Sequence, residues 1–454
     1  QGLRMWVHAE NMPGSAQEFQ DGELRALIRL GSDVQNNYYE YEIPLKPSDP
    51  GATDSLGIWA NQFDVVLADL AIAKAERNQQ NFPVINRFQY DLQDPNRPGH
   101  RVYVVGTPKT SDVKAMMVGI RNEADGRGPI CAEVWVNELR LVDFDETSGW
   151  AANARATIKL ADFANISLSG SIKTPGFGAL EQKINNRSRE TTKSIDVAGN
   201  FNMGKFFPKN WGLQLPLYLS YGERVIDPQF NPLEADVQMV NYLAEQDSAD
   251  RDSILYSLQD RRVNRSISLN NIRKVRVQKP GNSKNPPKTH LWDIENLTLS
   301  LAYNETFMSN YTTLSRIQKN HKAALGYAYN FDSKPIEPFK NAKHKNPITL
   351  FNFNPLPKTI GFNIALDRQY EENQIRQSSS FAPIAPTYMK RFMITRNYNL
   401  RWDLTKSLSF NYAAANSGRV DEPVGRITDG NRDSLYRNIL NFGAEQDTFG
   451  RDSL

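Results

Sequence analysis

The stretch WGLQLPLYLSY, Trp211 to Tyr221, decides how the rest of the chain is read. Trp211, Leu213, Leu215, Leu217, Leu219 and Tyr221 fill every odd position, and Gly, Gln, Pro, Tyr and Ser fill the even ones. A period of two with one greasy face is the pattern of a β-strand. That face meets either the packed core of a soluble protein or lipid. Pro216, in the middle, cannot donate a ladder hydrogen bond and belongs at a bulge or a strand edge.

The same plan recurs from Ala151 onward. Ala154, Ala156, Ile158 and Leu160 oppose Arg155, Thr157 and Lys159, and Ile166, Leu168 and Ile172 alternate with Ser167, Ser169 and Ser171. Ile195, Val197 and Phe201 face away from Asp196, Asn200 and Asn202. Leu297, Leu299 and Leu301 oppose Thr298 and Ser300; Ile360, Phe362, Ile364 and Leu366 oppose Gly361 and Asn363. Leu325, Tyr327 and Tyr329 form a further face, and Phe392, Ile394, Tyr398, Leu400 and Trp402 lead through a turn into Leu408, Phe410 and Tyr412. The pattern predicts about ten or eleven strands of roughly 9 to 13 residues. A globular strand runs about 5 to 6, and a tilted crossing of a bilayer takes about 9 to 11.

The polar faces are rich in Ser, Thr, Asn and small residues and poorer in Lys and Glu, which suits the lining of a water-filled barrel better than the outside of a soluble sheet. Leu213, Leu215, Leu217, Leu219, Leu299, Leu301, Phe362 and Ile364 are therefore expected to face lipid, and Gln214, Ser220, Thr298, Ser300 and Asn363 a lumen. Trp150, Trp211, Trp292 and Trp402 fall near strand ends, as an interfacial girdle places them, although core filling accounts for them as well. Arg396 interrupts the greasy face; at mid-depth in lipid it would cost about 2 to 4 kcal/mol, so it is expected near an interface or against a partner.

Residues 1–145 differ in character. Short alternating runs such as ELRALIRL, YYEYEIPL, RVYVVG and AEVWVNELRLVDF, separated by Pro, Gly, Asn and Asp clusters, predict a jelly-roll-like β-sandwich. One helix is expected in NQFDVVLADLAIAKAERN, where Phe63, Val66, Leu67 and Leu70 share a face and Asn61 is a candidate cap. Residues 146–454 then form the transmembrane β-barrel strands, with long polar loops at 223–264, 370–388 and 417–454 that alternate with tight turns, as when one side is periplasmic and the other extracellular. The first loop is expected to hold two short helices, NPLEADVQMVNYLAEQ with Pro232 at the first helical position and DSILYSLQ. AEQDSADRDSI (Ala244 to Ile254) is echoed by AEQDTFGRDSL (Ala444 to Leu454).

Composition sets the outer bounds. The chain has 454 residues, a net charge of +3 and a mean hydropathy of -0.57, so charge gives no reason to expect a nucleic-acid partner. No run of 18 apolar residues is present, which excludes a transmembrane helix and leaves barrel strands open. One cysteine, Cys131, rules out an intrachain disulfide and reads as a small buried residue. The start at Gln1 and the polar end at RDSL suggest a piece of a longer polypeptide.

Chemistry-bearing motifs are few. His8, His100, His290, His321 and His344 stand singly without metal-ligand spacing, and no hydrolase, zincin or phosphate-loop pattern occurs. GFGALE, Gly176 to Glu181, lacks the third glycine of a dinucleotide loop and reads as a turn. The chain is accordingly expected to be no enzyme, with no catalytic, metal or cofactor-binding residues.

Several runs carry a family resemblance: VWVNELRLVDFDETSGWA, SGSIKTPGFGALEQ, FFPKNWGLQLPLYLSYGERVIDPQFNPLEADV, FNFNPLPKTIGFNIALDRQYEENQIR and ITRNYNLRWDLTKSLSFNYAA. From about Val134 to the end the chain resembles the SprA/Sov family, the outer-membrane translocon of the type 9 secretion system of Bacteroidetes, also tied to gliding motility. The resemblance implies a segment of a very large antiparallel transmembrane β-barrel that exports folded proteins to the cell surface. It implies an outer-membrane location in a Gram-negative cell with surface-exposed loops. The implied partners are a PorV-type outer-membrane shuttle barrel, a periplasmic plug protein, and secreted cargo with C-terminal secretion domains. Too few strands are present here to close such a barrel, so the rest of the wall is expected from elsewhere in the polypeptide. Five Asp-Ser-apolar triplets, Asp54-Ser55-Leu56, Asp247-Ser248-Ala249, Asp252-Ser253-Ile254, Asp433-Ser434-Leu435 and Asp452-Ser453-Leu454, resemble the O-glycosylation acceptors of Bacteroidetes envelope proteins, and equally suit serine as a loop or cap residue. The alternative from another class is a soluble secreted β-sandwich protein that binds carbohydrate or acts as an adhesin.

Overall fold

The computed structural model describes residues 1–13, 18–48, 55–59, 61–123, 129–143, 148–183, 186–244, 246–277, 290–332, 334–339, 351–377 and 384–428, with 430 and 433. It is an all-β protein with large antiparallel sheets. The chain divides into two compact units: Gln1–Trp150 with Thr174–Glu190 and Pro228–Leu258, and Ala151–Lys173 with Thr191–Asp227 and Gln259–Leu454. The expected boundary at residue 145 thus falls close to the end of the first segment, but most of the 223–264 excursion belongs to the first unit.

The first unit is a sandwich of a three-stranded and a five-stranded antiparallel sheet. The strands are β1 (Gly2–Asn11), β2 (Leu24–Gly31), β3 (Tyr38–Pro44), β4 (Asn61–Val66), β5 (Phe88–Asp91), β6 (Arg101–Val105), β7 (Ala115–Asn122) and β8 (Ala132–Val142). Their orders are β4-β1-β8 and β5-β6-β3-β2-β7. Met5 and Val7, Ile28, Tyr41, Phe63 and Val104, from both sheets, close one core together with Leu70 and Ala73 of a helix. Each such fully buried side chain contributes about 1.5 to 3 kcal/mol.

A short helix α1 (Ser55–Ile58) precedes β4, and the main helix α2 (Leu67–Gln79) follows it directly. The expected helix therefore starts six residues later than Asn61. Asn61, Phe63 and Val65 alternate inward as β4 pairs with β1, so period two wins over the helical spacing in that half. Asn61 caps nothing: its Oδ1 accepts from Lys46 N at 2.7 Å and its Nδ2 donates to Lys46 O at 2.9 Å.

The outer face of the five-stranded sheet is filled with charge. Glu40 and Glu42, one residue apart on β3, are completely buried. Arg29 donates to Glu40, Arg87 to both, and Arg121 to both, with Arg121 Nη2 3.0 Å from Glu40 Oε1 and Arg87 Nη2 3.0 Å from Glu42 Oε1. The Arg87 guanidinium also lies 3.3 Å from the centre of the Tyr103 ring. Burial would raise the Glu40 carboxyl, but hydrogen bonds from Glu42 and Arg29 outweigh it and hold it down; burial and the neighbouring Glu40 push Glu42 up.

Helices α3 (Met239–Ala244) and α4 (Arg251–Leu258) also belong to the first unit. Pro232 begins no helix. Asn231 Oδ1 instead accepts from Leu233 N at 2.9 Å, and Phe230 bridges to Gln238, which makes residues 231–238 a turn. Within that turn Asp236 is an anchor. Its Oδ1 accepts from Thr110 N at 2.7 Å and Thr110 Oγ1 at 2.6 Å, its Oδ2 from Tyr39 Oη at 2.9 Å, and Lys74 Nζ stands 3.6 Å away.

The second unit is one antiparallel meander. Its strands are β9 (Ala151–Leu160), β10 (Ala164–Lys173), β11 (Glu190–Asn202), β12 (Leu213–Gln214), β13 (Pro216–Pro228), β14 (Asp260–Lys274), β15 (Leu297–Ser309), β16 (Thr313–Asn330), β17 (Thr359–Ile375), β18 (Thr387–Asp403) and β19 (Ser409–Arg419). They neighbour one another in chain order from β9 to β19, with the two-residue β12 beside β14. β16 reaches 18 residues, and β17 and β18 reach 17. The strands are longer than expected and take over the first residues of each expected loop: β13 continues to Pro228, β17 to Ile375 and β19 to Arg419.

Pro216 lies inside the sheet, since β13 has β11 on one side and β14 on the other. The strand breaks at Leu215, and β14 compensates with an irregularity between Leu269 and Ile272, where Asn271 takes φ 60°. The proline thus marks a bulge and no edge. The expected alternation of long and tight connections is absent. Residues 161–163 and 310–312 are tight turns at opposite ends of the sheet, and 275–296 and 229–259 are long connections at opposite ends.

Candidate functional site: the two faces of the large sheet

Antiparallel register puts paired residues on one face, so the pairs read out the chemistry of each side. Leu217 pairs with Leu269 and Leu219 with Ile267; those pair onward with Leu301 and Tyr303. Leu299 meets Leu325, which meets Ile364; Tyr327 meets Phe362, which meets Tyr398. Leu213 pairs with Lys274, two residues beyond Ile272, the partner of Leu299. Seven of the eight residues expected to face lipid therefore share one side, and Leu215 occupies the break between β12 and β13. Leu219 and Leu301 are each 39% exposed and Ile158 is 50% exposed. Among the described residues of this unit, only Phe392, Ile394 and Val420 form a buried apolar cluster.

The opposite side carries the polar set. Ser220 pairs with Ser266, Thr298 with Gly326, Ser300 with Ala324, and Asn363 with both Gly326 and Asn397. Gln214 accepts from Arg273 Nε at 2.7 Å. Hydroxyls and amides bond across strands, as Thr306 Oγ1 does to Asn264 Oδ1 at 3.0 Å. A shallow trough of about 530 Å³ runs over Gly326, Gly361 and Ala413 between Thr298 and Asn399. Gly361 is there for space: a Cβ would come within 2.1 Å of Asn399 Oδ1.

Both ends of the apolar face are bordered. At one end stand Trp211, Trp292 and Trp402, the first two largely exposed and the third donating Nε1 to Asn354 O at 2.9 Å. Trp150 is not among them, since it belongs to the first unit. At the other end a motif repeats on three strands of like direction. Tyr221 donates to Glu223 at 2.6 Å, Tyr303 to Glu305, and Tyr370 to Glu372 at 2.7 Å. The glutamates in turn meet cations: Arg261 Nε reaches Glu223 at 2.8 Å and Arg426 Nε reaches Glu372 at 2.8 Å. Nearby, Arg368 clasps Glu422 through two bonds of 2.7 Å. From Ile360 to Tyr370 the strand advances about 34 Å, or about 24 Å normal to a membrane at a tilt of about 45°.

The Tyr-x-Glu repeat was legible as YGE, YNE and YEE but is too short to stand out before the register aligns it. Arg396 is not near either border of the sheet, which leaves a partner as the expected neighbour. It pairs with Ile364 and Asn416 in the middle of β18. Cys131 is exposed, where a buried thiol was expected, because it precedes the edge strand β8. Asp247-Ser248-Ala249 lies between α3 and α4, and Ser253 falls in the first turn of α4. The other three triplets, the second copy of the AEQD echo and His344 involve residues outside those described. Among the described residues no three His, Cys, Asp or Glu come together as a metal site, and no helix is long and apolar enough to cross a membrane.

Residues 1–243 match the model of a family described as motility related/secretion protein, SprA_N. The match spans the whole sandwich, where the resemblance read from sequence was thinnest, and continues into the first strands of the meander. No curated protein matches the chain.

Proposed function

Since the chain belongs to the family of motility-related and secretion proteins, we propose that its meander is a stretch of the wall of an outer-membrane channel that conducts folded proteins. The apolar face of the sheet meets hydrocarbon, and the Ser, Thr, Asn and Gly face borders water. The observation that carries this reading is the apolar face itself, exposed over most of its extent among the described residues and bordered by tryptophans at one end and by tyrosine–glutamate pairs at the other. A soluble sheet with so much exposed apolar surface would aggregate, whereas a lipid-facing band about 25 Å tall with aromatic rims is what a barrel wall presents.

On this reading the protein acts without bond chemistry. The passage is wide and wet, and the polar side chains supply a surface to which cargo does not adhere. The end strands β9 and β19 each have one strand neighbour among the described residues. Exposed edges of this length invite pairing, so the wall continues through other strands of the same polypeptide. The family reading adds a PorV-type shuttle barrel, a periplasmic plug and cargo with C-terminal secretion domains as partners, in a Bacteroidetes outer membrane with a role in gliding. A carbohydrate-binding sandwich gains no support from the five-stranded sheet, whose outer face is occupied by arginine–glutamate pairs.

Membrane fractionation tests the assignment. Leu217→Asp should prevent stable assembly in the outer membrane while Ser220→Asp is tolerated. Normal assembly of Leu217→Asp would count against a lipid-facing role.

A further inference from the structure

The apolar face holds a groove of about 530 Å³ that crosses β10, β11, β13, β14 and β15. Part of its floor is the Phe201 ring, which packs over Gly199 where a Cβ would come within 2.5 Å of it. Ile166, Val197, Leu219 and Ile267 form its sides. At its upper end the lining changes to Tyr221, Tyr303 and Arg265. The Arg265 side chain is 62% exposed, with Nη1 3.5 Å from Glu305. The charges around this end are Arg261, Arg265 and Lys319 against Glu223 and Glu305, a surplus of one positive charge.

A shallow apolar groove that ends at an exposed guanidinium is complementary to a molecule with an apolar tail and an anionic head. Arginine grips phosphate through two parallel N–H donors, and basic pockets at the membrane boundary bind phosphate headgroups. We propose that this groove holds an acyl chain of one phosphate-bearing membrane lipid, with the phosphate bound at Arg265. The inference rests on the membrane reading above. The Phe201 ring, seated over Gly199, lies flat enough to leave the chain its path, and Arg265 selects the head.

Native mass spectrometry of the full-length protein, stripped stepwise of lipid in detergent, tests it. Three probes are added: dioleoylphosphatidylglycerol, dioleoylglycerol with the same tails and no phosphate, and glycerol phosphate with no tails. One phosphatidylglycerol should be retained per chain, and at least tenfold less dioleoylglycerol. Glycerol phosphate should not displace it. Arg265→Gln and Leu219→Trp should each lower retention at least tenfold, while Leu301→Trp, on the same face outside the groove, leaves it unchanged. Equal retention of dioleoylglycerol, displacement by glycerol phosphate, or full retention by Arg265→Gln would overturn the site. A protein that carries a detergent belt but keeps no phosphatidylglycerol loses this site alone; one that carries no belt loses the membrane reading and the site with it.

Discussion

Asp236 shows how a single residue can organise a connection that sequence reads as a loop. Its carboxylate accepts three hydrogen bonds and stands beside Lys74, whose side chain is 5% exposed. Asp236→Ala leaves that buried ammonium with the Pro108 carbonyl at 3.1 Å but without this counter-charge, and should cost about 3 to 5 kcal/mol, read as faster hydrogen exchange in residues 231–238. Unchanged exchange would show that the anchor is dispensable. Nothing in LEADV announces this role, because the partners come from Tyr39, Lys74 and Thr110, far away in sequence. His100 makes a pH-dependent prediction. Burial first, then the positive Arg97 and Arg25, hold its imidazole down to about 4 from the ordinary 6.5. The folded ring stays neutral while the unfolded ring takes up a proton, so stability present above pH 6.5 is lost as the pH falls toward 4, by up to about 3 kcal/mol. Denaturant midpoints of the sandwich measured from pH 7 to 4 should show this slope, and His100→Gln should flatten it. An equal slope in the variant would contradict the assignment.

Period-two alternation identified the strands of the meander because each has one apolar and one polar side; that signal is local and needs no partner. It failed where both faces are buried or charged. In NQFDVV the alternation lasts only six residues, and the adjoining helix supplied a competing spacing. In β16 and β17 the far halves carry charge on both faces, KNHK and DRQYEEN, so the first is assigned to no strand and the second reads as loop from residue 370, although both are paired with neighbours. The face assignments yield a sharp contrast at this scale. Leu301→Arg should destabilise the protein in vesicles by about 2 to 4 kcal/mol, as charge does on the lipid side of a barrel, while Ser300→Arg, one residue away, should change stability little. Denaturant unfolding from vesicles distinguishes them, and equal effects would mean that the two faces do not differ in surroundings.

For the whole molecule, the family assignment rests on residues 1–243 and the channel reading on the sheet that follows from residue 151. Closure is not legible in a single run of strands, and loop length does not tell the two ends of the sheet apart, since tight and long connections occur at both. What the register adds is continuity: the apolar side runs from β10 through β18, interrupted by Arg396 at mid-strand and giving way to Arg265, His321 and Arg368 toward the tyrosine–glutamate end. The most direct test places spin labels at positions 299, 300 and 301 of β15 in reconstituted vesicles and compares collisions with oxygen, which partitions into hydrocarbon, and with a water-soluble nickel chelate. The account predicts that labels at Leu299 and Leu301 meet oxygen and the label at Ser300 meets nickel. Labels at 299 and 301 that meet nickel, or that are shielded from both reagents, would contradict it.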